Sequence, residues 1–464
     1  MIKLLKNCKT LFLSTGIFFG SCFHITESNP QNEKRIDQMV VEDVSGTIAF
    51  VNVNVAPMTD DRVLTHQTVV VRHGKIVALG AANQITIPDS AYRIEGAGKY
   101  LMPGLADMHT HINYAEDLLP YVANGVTTVL NMGSPSAILQ FREQVKRGEL
   151  LGPAIFASAF VDGEGNRGWI VRTPEEAQTD VRDIKSRGWD FIKVYNSIKA
   201  EVFAALMDEA KQQGLAVIGH GVRAPGLQGV LQSGQVMIAH AEEYLYTYFN
   251  NALDESKIPA AVAITQRAGA FVTANLSTYA TINLQWGNQT SPFLQTVLAR
   301  PEIKYLHPIW ASGWRNSNRY AGRAGNLDRQ LAFLQKFTKA LQDANVPLLL
   351  GTDSPSPDII GMFPGFTIHE DLQAYVKAGL TPYQALKAGT KNAGEFISRF
   401  VANAEAFGTI ELGKRADLIL VTANPLTNVA NVSQRAGVMA RGRWLSEGKL
   451  RQMLDALAKS FGHD

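Results

Sequence analysis

The chain has 464 residues, 46% hydrophobic and 19% charged. That is an ordinary globular composition, long enough for one large domain plus a smaller one, or for two to three medium ones. Its formal net charge of +2, without long runs of like charge, low-complexity tracts or a solenoid repeat, gives no electrostatic case for nucleic acid as a partner.

Residues 1–21 have the layout of a secretory signal. Lys3, Lys6 and Lys9 make a basic start, and Thr10 to Phe23 is mostly apolar but too short for a membrane span. Removing these residues takes away three lysines and no acids, which turns +2 into −1. "FGSC", Phe19 to Cys22, is similar to a bacterial lipobox, although Phe stands where Leu is more usual; plain signal-peptidase cleavage nearby is the alternative. The expectation is export, to the bacterial periplasm or as an outer-membrane-anchored lipoprotein that meets the membrane only through Cys22. Residues 22–44 are largely polar and read as a tether. Cys8 and Cys22 are the only cysteines, so an exported domain must rely on its core rather than on disulfides, and at this length it can.

"TIAFVNVNV" (47–55) and "TVVVRHGKIVAL" (68–79) alternate apolar and polar residues, as strands of a small sheet do. "GTIELGKRADLILV" (Gly408 to Val421) and "VMARGRWL" (Val438 to Leu445) have the same character near the other end. The spacing predicts one small β-sandwich domain assembled from both chain ends, residues 45–100 with 404–450. Between them, over 101–403, short apolar runs alternate with helical patterns. Eight runs are found: "GLADMHTH" ending at His111, then 125–133, 153–160, 191–196, 215–221, 235–240, 270–277 and 347–353. Helices are expected between them, among them 174–188 and 200–214, the latter with Val202, Leu206 and Ala210 on one face and Gly214 as its stop. Eight βα units point to an α/β fold, a (β/α)8 TIM barrel. The longest connection, 278–330, holds Trp286, Trp310 and Trp314 and is expected to form a lid or pocket wall.

His109 and His111 close the first run. As residues i and i+2 of a strand they face one side and can meet one ion, while Thr110 points away. Lys193 lies among apolar neighbours in "FIKVYN"; His220 ends the fifth run, His240 the sixth, and Asp353 the eighth. Each alone has an ordinary structural explanation: a hydrogen-bonded histidine, a helix-capping aspartate. Together they bring nitrogen and oxygen donors to the carboxyl ends of strands 1, 4, 5, 6 and 8, where barrel active sites are built.

That pattern resembles the amidohydrolase superfamily over nearly all of residues 45–450. "LMPGLADMHTH" is similar to its first-strand motif and "GTIELGKRADLILV" to the segment completing its small β domain. "FIKVY", "AHAEEY" and "LTPYQALKAGTKNAGEF" resemble the imidazolonepropionase-like group that includes prolidase-type dipeptidases. The resemblance implies a carboxylated Lys193 bridging two divalent metal ions, zinc by default. His109, His111, Lys193 and Asp353 would hold one ion, and Lys193, His220 and His240 the other, about 3.5–4 Å apart with a shared hydroxide. That hydroxide would attack the amide carbonyl of a dipeptide, Xaa-Pro included, or of an N-acyl amino acid. Asp353 would relay the proton, and Tyr195 or Tyr244 would stabilise the oxyanion. Arg223 and Arg315 are candidates for the substrate carboxylate, and the tryptophan-rich loop for a bulky apolar group. A lactonase or phosphotriesterase would use the same two-metal site. A mononuclear deaminase would need the histidines and Asp353 but not Lys193. A non-catalytic binding lipoprotein leaves six intact ligands unexplained. Homo-oligomerisation is left open.

Overall fold

The computed structural model describes residues 46–133, 135–287, 290–317 and 319–463. The signal expected over 1–21, the tether over 22–44 and Cys22 lie outside them. Strands are numbered in chain order. β1 (Ile48–Val55), β2 (Leu64–Arg72), β3 (Lys75–Ala81), β4 (Tyr92–Glu95) and β5 (Tyr100–Pro103) come first. The barrel strands follow: β6 (Leu105–Thr110), β7 (Val126–Met132), β8 (Ala154–Asp162) with its short neighbour β9 (Trp169–Ile170), β10 (Phe191–Val194), β11 (Ala216–Gly219), β12 (Met237–Ala239), β13 (Phe271–Thr273) and β14 (Leu348–Leu349). β15 (Leu418–Val421), β16 (Arg435–Ala440) and β17 (Arg443–Ser446) end the series.

All eight expected runs are strands, paired in parallel and in sequence from β6 to β14, with β9 beside β8. The segment after β14 runs along β6 and draws the sheet towards closure. Met108 N donates to Leu350 O (2.9 Å), Asp353 N to His109 O (2.7 Å) and His111 N to Ser354 O (2.9 Å). Helices coat the outside because their apolar residues recur on one face. Pro174–Ser186 buries Ala177, Val181 and Ile184, and the Thr173 side chain caps its first turn. Ala200–Gln213 buries Val202, Phe203, Leu206, Met207 and Ala210 and stops at Gly214, where φ is +62°. Each such large apolar side chain contributes roughly 1.5–3 kcal/mol on burial.

The second sheet is built from both chain ends, in the order β17-β16-β15-β5-β1-β2-β3, with β4 on β1. Ile48, Phe50, Val69, Leu101, Leu418 and Met439 share its core. It is the expected small β domain from both chain ends, and its strands form one continuous hydrogen-bonded sheet whose β2–β3 end folds back on the segment before β15, with Ala416 N donating to Gly74 O at 2.8 Å. The sheet is continuous because β5 pairs with β1 on one side and with β15 on the other and so joins the two halves.

The long connection folds as helices Leu276–Gln285, Thr290–Leu298 and Pro308–Asn316, with a 3-10 turn at Pro301–Tyr305. Among the described residues no helix is long and apolar enough to cross a membrane.

Candidate metal centre

The polar residues at the strand ends meet. His109 lies within β6 and His111 one residue past it; Lys193 is the third residue of β10; His220 and His240 directly follow β11 and β12; Asp353 follows β14. Three consecutive barrel strands deliver their side chains through left-handed backbone: His240 (φ 69°), Asn275 after β13 (φ 51°) and Asp353 (φ 60°). Such conformations cost roughly 1–3 kcal/mol each and persist where the surroundings over-determine them. Asn275 is anchored there by its amide, which donates to Gly351 O at 2.7 Å.

Asp353 is the focus. Its Oδ1 lies 2.8 Å from His111 Nε2 and 3.3 Å from His109 Nε2. Lys193 Nζ is 3.2 Å from His109 Nε2. The His109 ring is 5.2 Å from that of His111 and 4.6 Å from that of His240, which is 4.9 Å from that of His220. One donor atom each from His109, His240 and Asp353 falls within a sphere suited to a cation, all three within 4.8 Å of one another. Thr110 faces away, donating to Asn131 Oδ1 at 3.1 Å.

Burial sets the charge states. It pulls all four imidazoles below the usual histidine range, His240 to about 3, so they are neutral and have lone pairs to give. It pulls the Lys193 amine from 10.5 to about 8, with Asp353 and Glu243 resisting. Burial works against the Asp353 carboxylate, but contacts with His109, His111 and His240 hold it well below the usual carboxylate range. A buried anion ringed by neutral imidazoles and a readily deprotonated amine suits a divalent cation. Nδ1 of His109 and of His240 also lack hydrogen-bond partners among the described residues. This donor set fits the expected metal.

Other expected residues divide. The Tyr195 ring lies 4.1 Å from that of His220, at the cluster. Arg223 is exposed beside it, its guanidinium 5.8 Å from the Tyr246 ring. Tyr244 is a correction. It is fully buried in the helical layer, where its hydroxyl pairs with Thr265 Oγ1 at 2.9 Å and its ring packs on Phe337, so it cannot serve an oxyanion. Arg315 sits exposed on helix Pro308–Asn316 and has no ion pair among the described residues. Burial raises both the Tyr195 hydroxyl and Glu242, and the Arg319 charge partly offsets this while its Nη1 pairs with Asp358 at 3.1 Å. The tryptophans mostly anchor the long connection rather than line a pocket. Trp314 is fully buried and donates to Ser356 O at 2.7 Å, and Trp310 donates to the Asp117 carboxylate at 3.2 Å.

Two acids escaped the sequence reading. Asp107, buried, accepts from Thr352 Oγ1 (2.6 Å), Thr352 N (3.0 Å) and His109 N (3.2 Å), and so pins β6 to the segment carrying Asp353. Its signal was the same i, i+2 alternation that pairs His109 with His111. Glu243, three residues after His240, lies against His220, its Oε1 2.7 Å from Nδ1.

Residues 100–445 match the profile described as "Amidohydrolase family". The chain belongs to the amidohydrolase family. That membership makes it a hydrolase by class. It is 42% identical over 67 residues to the imidazolonepropionase of Idiomarina loihiensis; that match spans 14% of this chain and 16% of the relative. It is similar in fold to bottromycin amidohydrolase (TM-score 0.71, 22% identity, 95% of each chain covered). It is similar also to a Xaa-Pro dipeptidase solved with methionine in its active site (TM-score 0.64, 18% identity, 86% of this chain and 100% of that one).

Proposed function

We propose that this amidohydrolase-family member is a metal-dependent hydrolase that cleaves the amide bond of a dipeptide, Xaa-Pro included, or of an N-acyl amino acid. The observation that carries the reading is the convergence on Asp353: His111 at 2.8 Å, His109 at 3.3 Å and the Lys193 amine 3.2 Å from His109. The fold shared with a Xaa-Pro dipeptidase supports the substrate class. In this reading His109, His111, Lys193 and Asp353 hold one divalent ion and Lys193, His220 and His240 a second, with Lys193 carboxylated. When bound, the ions supply nucleophilic water and polarise the scissile carbonyl.

The chain's own groups do the rest. Asp353, anionic and buried, takes the proton of the attacking water and returns it to the leaving nitrogen. The Tyr195 hydroxyl donates to the developing oxyanion. Arg223, without an ion-pair partner among the described residues, receives the substrate carboxylate. The protein acts after export, tethered at Cys22 where that residue is lipidated, with a barrel over 101–403 and a small β domain over 45–100 and 404–450.

A hydrolysis screen of dipeptides, N-acyl amino acids, lactones and phosphotriesters tests this, with Lys193→Ala as control. Amide cleavage that the control lacks is expected. Turnover of esters alone, with every amide untouched, overturns the amide assignment in favour of the lactonase or phosphotriesterase reading. Undiminished activity in Lys193→Ala removes the bridging role.

A further inference from the structure

Outside the six residues assigned above, two buried acids among the described residues touch the cluster, and Asp107 is already held by Thr352 and the His109 amide. Glu243 lies on the first turn of helix Glu242–Thr247 and is 2% exposed. Its Oε1 is 2.7 Å from His220 Nδ1, yet neither that nitrogen nor Glu243 Oε2 makes a directed hydrogen bond with a described side chain; the one donor leaning on the carboxylate is the Gly221 amide. Other buried acids of the barrel are better held. Asp371 takes the amide and hydroxyl of Ser277 at 3.0 and 2.9 Å, and Asp117 takes the Trp310 indole N–H. An imidazole nitrogen and a carboxylate oxygen this close, without hydrogen-bond alignment, leave both atoms with lone pairs that a shared cation could take.

Charge points the same way. Two divalent ions bring four positive charges into a pocket of neutral imidazoles. Such ions would call for buried anions beyond Asp353, and Glu243 supplies a carboxylate against His220. A side chain at Gly221 would crowd the same helix, its Cβ 2.8 Å from Thr247 Oγ1.

We propose that Glu243 is a further ligand of the centre, its carboxylate closing on the divalent cation held by His220 and His240. This rests on the metal reading above. The test strips wild type, Glu243→Gln and Glu243→Asp with chelator and reloads each with Zn2+ or Co2+. Metal per chain is counted by elemental analysis, affinity is taken by competition with a chromophoric chelator, and the visible spectrum of the cobalt form is recorded. E243Q is expected to bind its weaker ion less tightly by more than the roughly 10–100-fold that loss of a partner outside the ligand set costs, with an altered cobalt spectrum, and E243D to keep the stoichiometry with a smaller loss. An E243Q protein that is folded by circular dichroism, and matches wild type in stoichiometry, affinity and spectrum, overturns the proposal alone. Should E243Q not fold, E243D decides: a shifted cobalt spectrum supports ligation and an unchanged one overturns it. A wild-type protein that takes up no metal overturns the proposed function and this assignment with it.

Discussion

Oδ1 of Asp353 lies 2.8 Å from Nε2 of His111, joining the first and last strands of the barrel at one point. In the proposed reaction this carboxylate both holds metal and carries the proton. Asp353→Asn keeps the shape and removes the charge. It is expected to lower kcat by roughly 10²–10⁴-fold and to reduce bound metal, read by steady-state kinetics and elemental analysis on the same preparation. Wild-type kcat in D353N would end its role as proton carrier.

Gly219, at the end of β11, has φ of +122°, and a Cβ there would lie 2.4 Å from Val194 O and 3.1 Å from Lys193 Cγ. Gly219→Ala is expected to destabilise the protein by about 1–3 kcal/mol and to displace the Lys193 amine. Denaturant unfolding measures the first effect and metal content the second. A G219A protein as stable as wild type would show that the strand end relaxes freely.

Tyr195 and Tyr244 give a paired test. Tyr195→Phe removes the hydroxyl of the ring that packs on His220 and is expected to lower kcat about 100–1,000-fold with little change in melting temperature. Tyr244→Phe removes the bond to Thr265 and is expected to cost about 1 kcal/mol of stability while leaving kcat unchanged. The opposite assignment of effects would contradict the geometry described for both residues.

His369 lies on helix Thr367–Lys377, its Nε2 3.1 Å from Asn124 O and 3.4 Å from Arg435 Nη1. Burial, then the Arg435 charge, lowers it to about 3. The folded protein therefore refuses a proton that the unfolded chain accepts below about 6.5. The stability this neutral ring contributes is complete above that pH and is lost as pH falls towards 3. His369→Gln is expected to flatten the acid limb of stability against pH by the order of 1–3 kcal/mol, followed by urea unfolding of metal-free protein between pH 7 and about 4. An unchanged slope would mean that other buried groups dominate that limb.

The barrel and its polar strand ends were legible because a histidine or lysine at the end of an apolar run stands out, as at His220, His240 and Lys193. What resisted reading was set by partners distant in sequence. Trp310 and Trp314 suggested a pocket wall, but they pack with Ile360 and Phe363 into a small core of their own; nothing local announces that pairing. Glu243 was hidden by its neighbour Glu242, since adjacent acids at a helix start ordinarily face solvent and favour the helix dipole. The continuous second sheet depended on β5 having partners on both edges, which alternation alone does not reveal.

β5 pairs with β1 close by and with β15 only after the whole barrel has intervened: Leu101 opposes Leu420 and Met102 opposes Ile419. During synthesis β1, β2 and β5 therefore leave the ribosome with one edge bare, and it stays bare until the last strands emerge. Pairings of such sequence separation form slowly, and an uncovered edge is a template for another chain. A nascent chain halted before Leu418 would carry every expected metal ligand and still expose that edge. Aggregation of the halted chain, rather than a soluble inactive barrel, is the outcome this topology favours.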